Sequence, residues 1–428
     1  MLLSRDPGAP ISHLKRLARS VGPAPRVQVS GSIIVALLVA ACAANASPPP
    51  TPLVLPPSST PVVSTPATAT FAPSRSPSTP AVAPAGDLLF MRSPEPYGEF
   101  NGSAWVAPAA GGPPLDLGPA IEASWAADGQ SVHLVSQDAM CVPRLTTVSL
   151  DGHVRDEVRK GLRSEDGAFA WSPDGRQIVF SRFHNGPPPR SCGSQGGAYG
   201  SDTLVADLVV MNADGTDQRV LAPMVWPSRP ITWSPDGTQI AFANAIGDLS
   251  QNLLGPVLVR VADGVRTPLT AAPLEGMISP RWSPDGKRLT FLFSIEGVTH
   301  IGIITVERAK LRDLGAGDHN AQQPAWSPDS VTIAAAFEIA TDGTLHPGGI
   351  VIHQADGSGR RELVLADVDV YSSPAWSPDG TWLAYIRTAG QGSGVGGRGI
   401  ALVNIDGTAR REVAETAGAQ WVAWQPAP

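Results

Sequence analysis

Ala170-Trp171-Ser172-Pro173-Asp174-Gly175 returns along most of the chain, and each copy leads into the same short apolar run. Trp-Ser-Pro-Asp-Gly copies start at Trp233, Trp282 and Trp376. Trp326-Ser327-Pro328-Asp329-Ser330 lacks only the glycine, Trp125-Ala126-Ala127-Asp128-Gly129 keeps the ends, and Trp424-Gln425-Pro426 stops at the C-terminus. Successive tryptophans lie 46, 62, 49, 44, 50 and 48 residues apart. That period is the length of a four-stranded propeller blade, a unit too small to bury its own face unless it stacks on the next copy.

The motif has a local physical reason. Proline sets φ for the first central position of a turn, Asp bonds nearby backbone, and Gly accepts the left-handed conformation that closes a bulged hairpin. Strand-length apolar runs follow, as in Gln177-Ile178-Val179-Phe180 and Trp382-Leu383-Ala384-Tyr385, and a second hairpin signal follows those at Asp151-Gly152, Asp214-Gly215, Asp263-Gly264, Asp356-Gly357 and Asp406-Gly407. One unit therefore reads as strand A ending in the tryptophan motif, then strands B, C and D. The last A strand, at Trp424, has no B, C or D after it, whereas Leu88 to Met91, Ala104 to Ala107 and Leu115 to Leu117 have no A before them. Pairing the two ends in one blade closes the ring and leaves only short edges.

The repeat resembles the WD40-like Pro-Asp repeat of TolB-type β-propellers over about residues 87–428. The resemblance implies an all-β fold, here counted as a seven-bladed β-propeller with the six blades of TolB as the alternative. It implies no particular function. TolB carries a smaller α/β domain ahead of its propeller, and nothing of that kind is read here.

The chain has 428 residues, 42% of them apolar and 16% charged, with a net charge of −7. An acidic chain without Lys/Arg clusters is not built for nucleic acid. Residues 1–41 read as an export signal: Arg5, Lys15, Arg16, Arg19 and Arg26 precede an apolar run from Ile33 to Ala41. That run is too short for a bilayer, which needs about 20 residues. Val39-Ala40-Ala41-Cys42 resembles the bacterial lipobox, which implies that Cys42 is lipidated and anchors the chain to a membrane. An ordinary secretory signal cleaved elsewhere is the alternative. From residue 42 to 86 the chain is nearly all Pro, Ser, Thr, Ala and Val, so it reads as a disordered stalk or simple linker. In polyproline form it would reach on the order of 130 Å.

Besides Cys42, the cysteines are Cys141 and Cys192, an even pair in a chain read as extracytoplasmic. Both fall in B-to-C connections of consecutive blades and are expected to form a disulfide or remain as two thiols. The A-to-B and C-to-D turns are short and share one face, the turn face. The B-to-C and D-to-A connections share the other, the loop face, and are expected to be long. Tyr97, His184, Arg190, Tyr199, Trp226, Arg229, His319 and Tyr371 fall in those connections and are the candidate binding residues. Aromatic and Arg side chains on loops suit an interface. Packing of each side chain onto the ring is the alternative.

No Gly-x-Ser-x-Gly elbow is present, and the eight histidines show no metal-ligand spacing. Gly392-Ser393-Gly394-Val395-Gly396-Gly397 fits a dinucleotide fingerprint in letters but runs into a strand, where no helix N-terminus can hold a phosphate. The expectation is a monomeric, non-catalytic binding or scaffold module, without cofactor or metal, that presents its loop face to an envelope protein, peptide or glycan. The alternative is a carbohydrate-active lyase or hydrolase with its site at the mouth of the central channel.

Overall fold

The computed structural model describes residues 84–92, 102–184, 206–225, 228–245, 253–270, 274–276, 278–315, 319–341, 344–365, 369–388 and 398–427, all within one compact unit, Arg75–Pro428. These residues form seven antiparallel sheets arranged as a seven-bladed β-propeller. Blade 1 joins both ends of the chain: its A strand is Ala419–Trp424 and its B, C and D strands are Asp87–Arg92, Gly102–Pro108 and Leu115–Ala120. The closure pairs the two strands expected to meet, with Leu88 opposite Trp424 and Leu89 opposite Ala423.

Blades 2 to 7 follow in chain order. Blade 2 is Glu122–Trp125, Ser131–Gln137, Pro143–Ser149 and Val154–Val158, and blade 3 is Asp166–Trp171, Gln177–Phe183, Ala206–Asn212 and Arg219–Val225. Blade 4 is Ser228–Trp233, Gln239–Ala245, Leu253–Arg260 and Arg266–Pro268, with Leu274–Glu275 added beside its C strand. Blade 5 is Ile278–Trp282, Arg288–Ile295, Val298–Thr305 and Lys310–Asp313. Blade 6 is His319–Trp326, Thr332–Thr341, Thr344–Gln354 and Arg360–Leu365, and blade 7 is Val370–Trp376, Trp382–Thr388, Arg398–Asn404 and Arg410–Glu412.

The core lies in the seams between blades. B strands are apolar without alternation because both of their faces meet a neighbouring blade; Phe90, Phe180, Phe242 and Phe291 occupy one repeat position and are fully buried. Leu88 and Phe90 of blade 1 pack with Trp382 and Ile386 of blade 7, and the other seams are built alike. D strands are largely exposed and form the rim. A strands touch the A strands of adjacent blades and line the axis.

Six of the seven motif tryptophans fasten one blade to the one before it. Each indole Nε1 donates to the carbonyl just ahead of the preceding blade's tryptophan: Trp233 to Ala170 (2.9 Å), Trp282 to Thr232 (3.3 Å), Trp326 to Arg281 (3.3 Å), Trp376 to Ala325 (3.1 Å), Trp424 to Ala375 (2.9 Å) and Trp125 to Ala423 (3.3 Å). Trp171 instead stacks on the His133 ring of blade 2, with centroids 4.5 Å apart and planes 3° from parallel.

Each Ser-Pro-Asp turn is a closed network. The buried serine hydroxyl donates to the aspartate at 2.5 to 2.6 Å and accepts the N–H at or next to the start of strand B, as Gln177 N–H does on Ser172 Oγ at 2.9 Å. Ser330 stands in the left-handed position that glycine fills elsewhere, at φ 63°. Its hydroxyl accepts from Asp285 N of blade 5, so the departure from the motif adds a bond between blades.

Two expectations are corrected. The A strands begin earlier than the loop assignment allowed: Arg229, His319 and Tyr371 lie on strands. The reason is a bulge three residues before the tryptophan, where pairing shifts and then resumes. B-to-C connections are also not uniformly long, since strands B and C are two residues apart in blades 5 and 6.

Ring closure makes the first prediction. Trp424→Ala should cost about 3 to 5 kcal/mol in urea unfolding, the usual range for a buried aromatic. Deletion of residues 419–428 should abolish the single cooperative transition, because it opens the ring on both sides of blade 1. The second prediction concerns His133, whose pKa burial lowers to about 4 from 6.5. The unfolded chain then binds this proton more readily, so stability falls as pH drops from 6.5 toward 4, by on the order of 3 kcal/mol in all. His133→Leu should flatten that part of the pH profile of the melting temperature. A further loss should begin only below about 3.8, where the serine bonds and turn N–H groups that hold Asp174 and Asp329 below the usual carboxylate value are progressively lost.

Candidate functional site

The two faces of the ring use their polar side chains differently. On the turn face, aspartates such as Asp236 and Asp406 are bonded to their own turns. On the loop face, the end of strand B carries an arginine at one repeat position in blades 1, 3 and 7: Arg92, Arg182 and Arg387. Arg92 lies 4.2 Å from the Trp105 ring centroid and bonds Glu415 O, while Arg182 grips the buried Asp166 with two bonds of 2.7 and 2.9 Å. Arg387 bonds Asp369 at 2.6 Å and also Glu412. These partners raise the pKa of Arg182 and of Arg387 through hydrogen bonding to Asp166 and Asp369 respectively.

Blade 7 adds open space to this arrangement. A groove of about 510 Å³ is lined by Asp369, Tyr371, Tyr385, Arg387, Arg410 and Glu412, and it adjoins a hollow of about 440 Å³ that shares Arg387 and Glu412. The Tyr371 and Tyr385 rings meet edge to face at 5.3 Å. Burial, and then the neighbouring Tyr371, push the Tyr385 phenol up to about 12, so it stays protonated and serves as a hydrogen-bonding group. Paired charges beside two aromatic rings can hold a polar or charged ligand.

The axis is lined by strained backbone. Ala168, Ser279, Gln323 and Ser373, each three residues before a motif tryptophan, have φ between 47° and 58° although none is glycine. Gln323 Oε1 accepts from both the backbone N–H and the hydroxyl of Ser373 in the next blade, the latter at 3.0 Å. Arg281 precedes Trp282, at a position occupied elsewhere by Ser124, Ala170, Thr232, Ala325, Ala375 and Ala423. Solvent reaches its side chain, yet protein encloses it, and that enclosure lowers its pKa with no carboxylate among the described residues contributing.

Tyr371 is the expected binding residue that the structure brings into the groove. His184 follows strand B of blade 3 and bonds Asp207 at 2.8 Å, away from blade 7. Arg229 and His319 lie on the A strands of blades 4 and 6. Tyr97, Arg190, Tyr199 and Trp226 lie outside the described residues, as do Cys42 and Cys192. Cys141 is disulfide-bonded, with its partner outside the described residues. Among the described residues no cluster of His, Cys, Asp and Glu could hold a metal ion. Sequence reasoning missed Arg387, Asp369 and Arg281. Aligning the repeats position by position would have shown Arg281 as the large residue in a column of small ones, and Arg387 as equivalent to Arg182.

The chain matches no family model. Dipeptidyl-peptidase 5 of Porphyromonas gingivalis is 28% identical over 154 residues, 36% of this chain and 21% of that protein. A puromycin-hydrolyzing peptidase of Mycobacterium tuberculosis superposes with a TM-score of 0.54 at 16% identity, over 78% of this chain and 53% of that one. TolB from Acinetobacter baumannii superposes with a TM-score of 0.48 at 14% identity, over 80% and 67%. The match thus spans about a fifth of the curated relative and about half of the peptidase structure, and what the peptidase structure shares with this chain is the fold.

The two arginine pairs differ in burial, and a third prediction follows. The Asp166 side chain is wholly buried and Arg182 is 18% exposed, whereas Arg387 is 44% exposed. Both substitutions strand a buried carboxylate, Asp166 or Asp369, but the more exposed Arg387 pair is better screened by water, so Arg182→Ala should cost roughly 3 kcal/mol and Arg387→Ala less, about 2 kcal/mol. Urea unfolding of the two variants measures the difference.

Proposed function

We propose that this propeller is a non-catalytic binding module, held to a bacterial membrane through Cys42, which presents its loop face to a protein, peptide or glycan of the cell envelope. The observation that carries the reading is the division of labour between the faces: turn-face aspartates are bonded to their own turns, while the loop face of blade 7 gathers two tyrosines and ion-paired arginines and carboxylates around an open groove. Rigid strands hold those groups, and a preorganised site loses little entropy on binding. Arg410 and Arg411 widen the charge available to an anionic or polar ligand.

A second reading, a hydrolase or lyase, draws on the resemblance to peptidases and on the enclosed Arg281 at the axis. General acid–base chemistry needs a titratable group within hydrogen-bond reach of the reacting atom. Among the described residues no carboxylate contributes to the shift of Arg281, so it serves better as an anchor for an anion than as part of a proton-transferring pair.

Photo-crosslinking residues placed at Tyr371 and Arg410, and at Asp236 and Asp406 on the turn face, distinguish the faces. The loop-face positions should capture a partner in cells and the turn-face positions should not. Tyr371→Ala should weaken capture about thirtyfold, the loss of an aromatic anchor worth about 2 kcal/mol. Capture from the turn face alone would overturn the assignment.

A further inference from the structure

One position of strand B, next to the residue opposite the one before each tryptophan, is filled by hydrocarbon in six blades: Phe90, Phe180, Phe242 and Phe291, with Leu134 and Ala335 in the other two. Blade 7 places Tyr385 there, and its hydroxyl is the only polar atom in that column. The residue is 3% exposed. A hydroxyl carried into a seam costs free energy unless it is bonded. The Tyr385 hydroxyl makes no hydrogen bond among the described residues, yet it is not sealed in: the side-chain atoms that are both sealed and unpaired belong to Arg92, His133, Arg144 and Thr270. It opens on the loop-face groove of blade 7, which Tyr385 lines.

A second unpaired group borders the same space. Arg410 makes neither a hydrogen bond nor an ion pair among the described residues, whereas Arg387 is held by Asp369 and Glu412, and Arg411 donates to Ala110 O of blade 1. Arg410 and Arg387 both act on the Tyr385 phenol as positive charges, and burial still keeps it protonated. A guanidinium only donates, so a partner that satisfies both groups is an acceptor. Its charge follows from the walls. Three arginines and two carboxylates line the groove, an excess of one positive charge in a chain whose net charge is −7. A monoanion balances that excess, and a dianion such as phosphate would overshoot it beside Asp369 and Glu412.

The adjoining hollow favours a peptide as the carrier of this anion. Ile400, Val413, Ala414 and Ala417 form its apolar wall, and Gly399 and Ala401 on strand C are too small to fill it. Such a wall suits an aliphatic side chain, whereas a sugar would leave hydroxyls unbonded against it. We propose, on the reading that the loop face is the binding face, that this groove receives the C-terminal carboxylate of a peptide, whose oxygens accept from the Tyr385 hydroxyl and the Arg410 guanidinium while its last side chain lies in the hollow. Both bonds are assisted by charge, and the Tyr385 ring is held rigidly by the seam before the ligand arrives.

Calorimetric titration of the full chain with acetyl-alanyl-alanyl-leucine, as the free acid and as the C-terminal amide, tests this, with glucuronate and inorganic phosphate as rival anions. The free acid should bind saturably and the amide about tenfold more weakly. Tyr385→Phe restores the residue that four other blades carry, and should weaken the free acid about tenfold, the loss of one hydrogen bond to a charged group, without lowering the melting temperature. Arg410→Gln, at an exposed position, should do the same. The proposal is overturned if the free acid shows no saturable binding, if the amide binds as well, or if either variant retains the affinity of the parent. It is also overturned if glucuronate or phosphate binds more tightly than the peptide with the same sensitivity to Tyr385→Phe, since the groove would then serve an acidic sugar or a phosphate. These failures leave capture by a crosslinker at Tyr371 intact, whereas failure of the loop face as the binding face abolishes that capture.

Discussion

The indole N–H of one blade, seated on a carbonyl of the blade before it, is the contact on which the rest of the ring depends. A four-stranded sheet with two apolar faces has no stable existence alone, and apolar packing by itself does not fix how far one sheet slides over the next. The tryptophan supplies both requirements: it buries a large side chain in the seam and directs a hydrogen bond to one atom of the neighbour. Because donor and acceptor recur at the same repeat positions, the bonds form a chain around the axis. The seam where Trp171 makes no such bond among the described residues is the seam that opens into a cavity lined by His133.

Much of this architecture is legible in the residues because its determinants are local. Pro173, Asp174 and Gly175 specify their turn without help from the rest of the chain, and the surplus strand at Trp424 with the deficit before Leu88 is enough to infer the closed blade. Where the A strands begin is not legible. Ala168, Ser279, Gln323 and Ser373 adopt left-handed backbone at one repeat position, and no glycine or other local composition signals it there. His133 looks like any strand residue until the register places it opposite Ser124 and under Trp171. Arg387 is legible only in part: the repeat alignment pairs it with Arg182, but the buried carboxylates that hold each arginine, Asp369 and Asp166, sit at different distances from their tryptophans.

The division between the faces follows from the same repeat. Turn residues are selected to satisfy backbone, so a serine hydroxyl and an aspartate oxygen are consumed at each A-to-B turn of the full motif. The opposite ends of the strands carry no such obligation. Their side chains differ from blade to blade, and an arginine at one column, held by a buried aspartate in blades 3 and 7 alike, lines an open groove in blade 7. A repeat protein of this kind gains individuality where its turns are not.

Blade 1 also imposes an order of events. Its B strand belongs to the first part of the propeller to be synthesised and its A strand to the last, with Asp87 N bonded to Gln425 Oε1 across 338 residues of sequence. Contacts of that separation form slowly, because the intervening chain must first be arranged. Until Ala419–Trp424 arrives, Asp87–Arg92 presents an unpaired edge of Leu88, Leu89, Phe90 and Met91, among the most apolar strands in the molecule. An open edge of that kind will pair with any strand it meets, including another copy of itself. The closing blade therefore sets a time window during which the nascent ring is exposed to misassembly, a window that ends when Ala419–Trp424 docks.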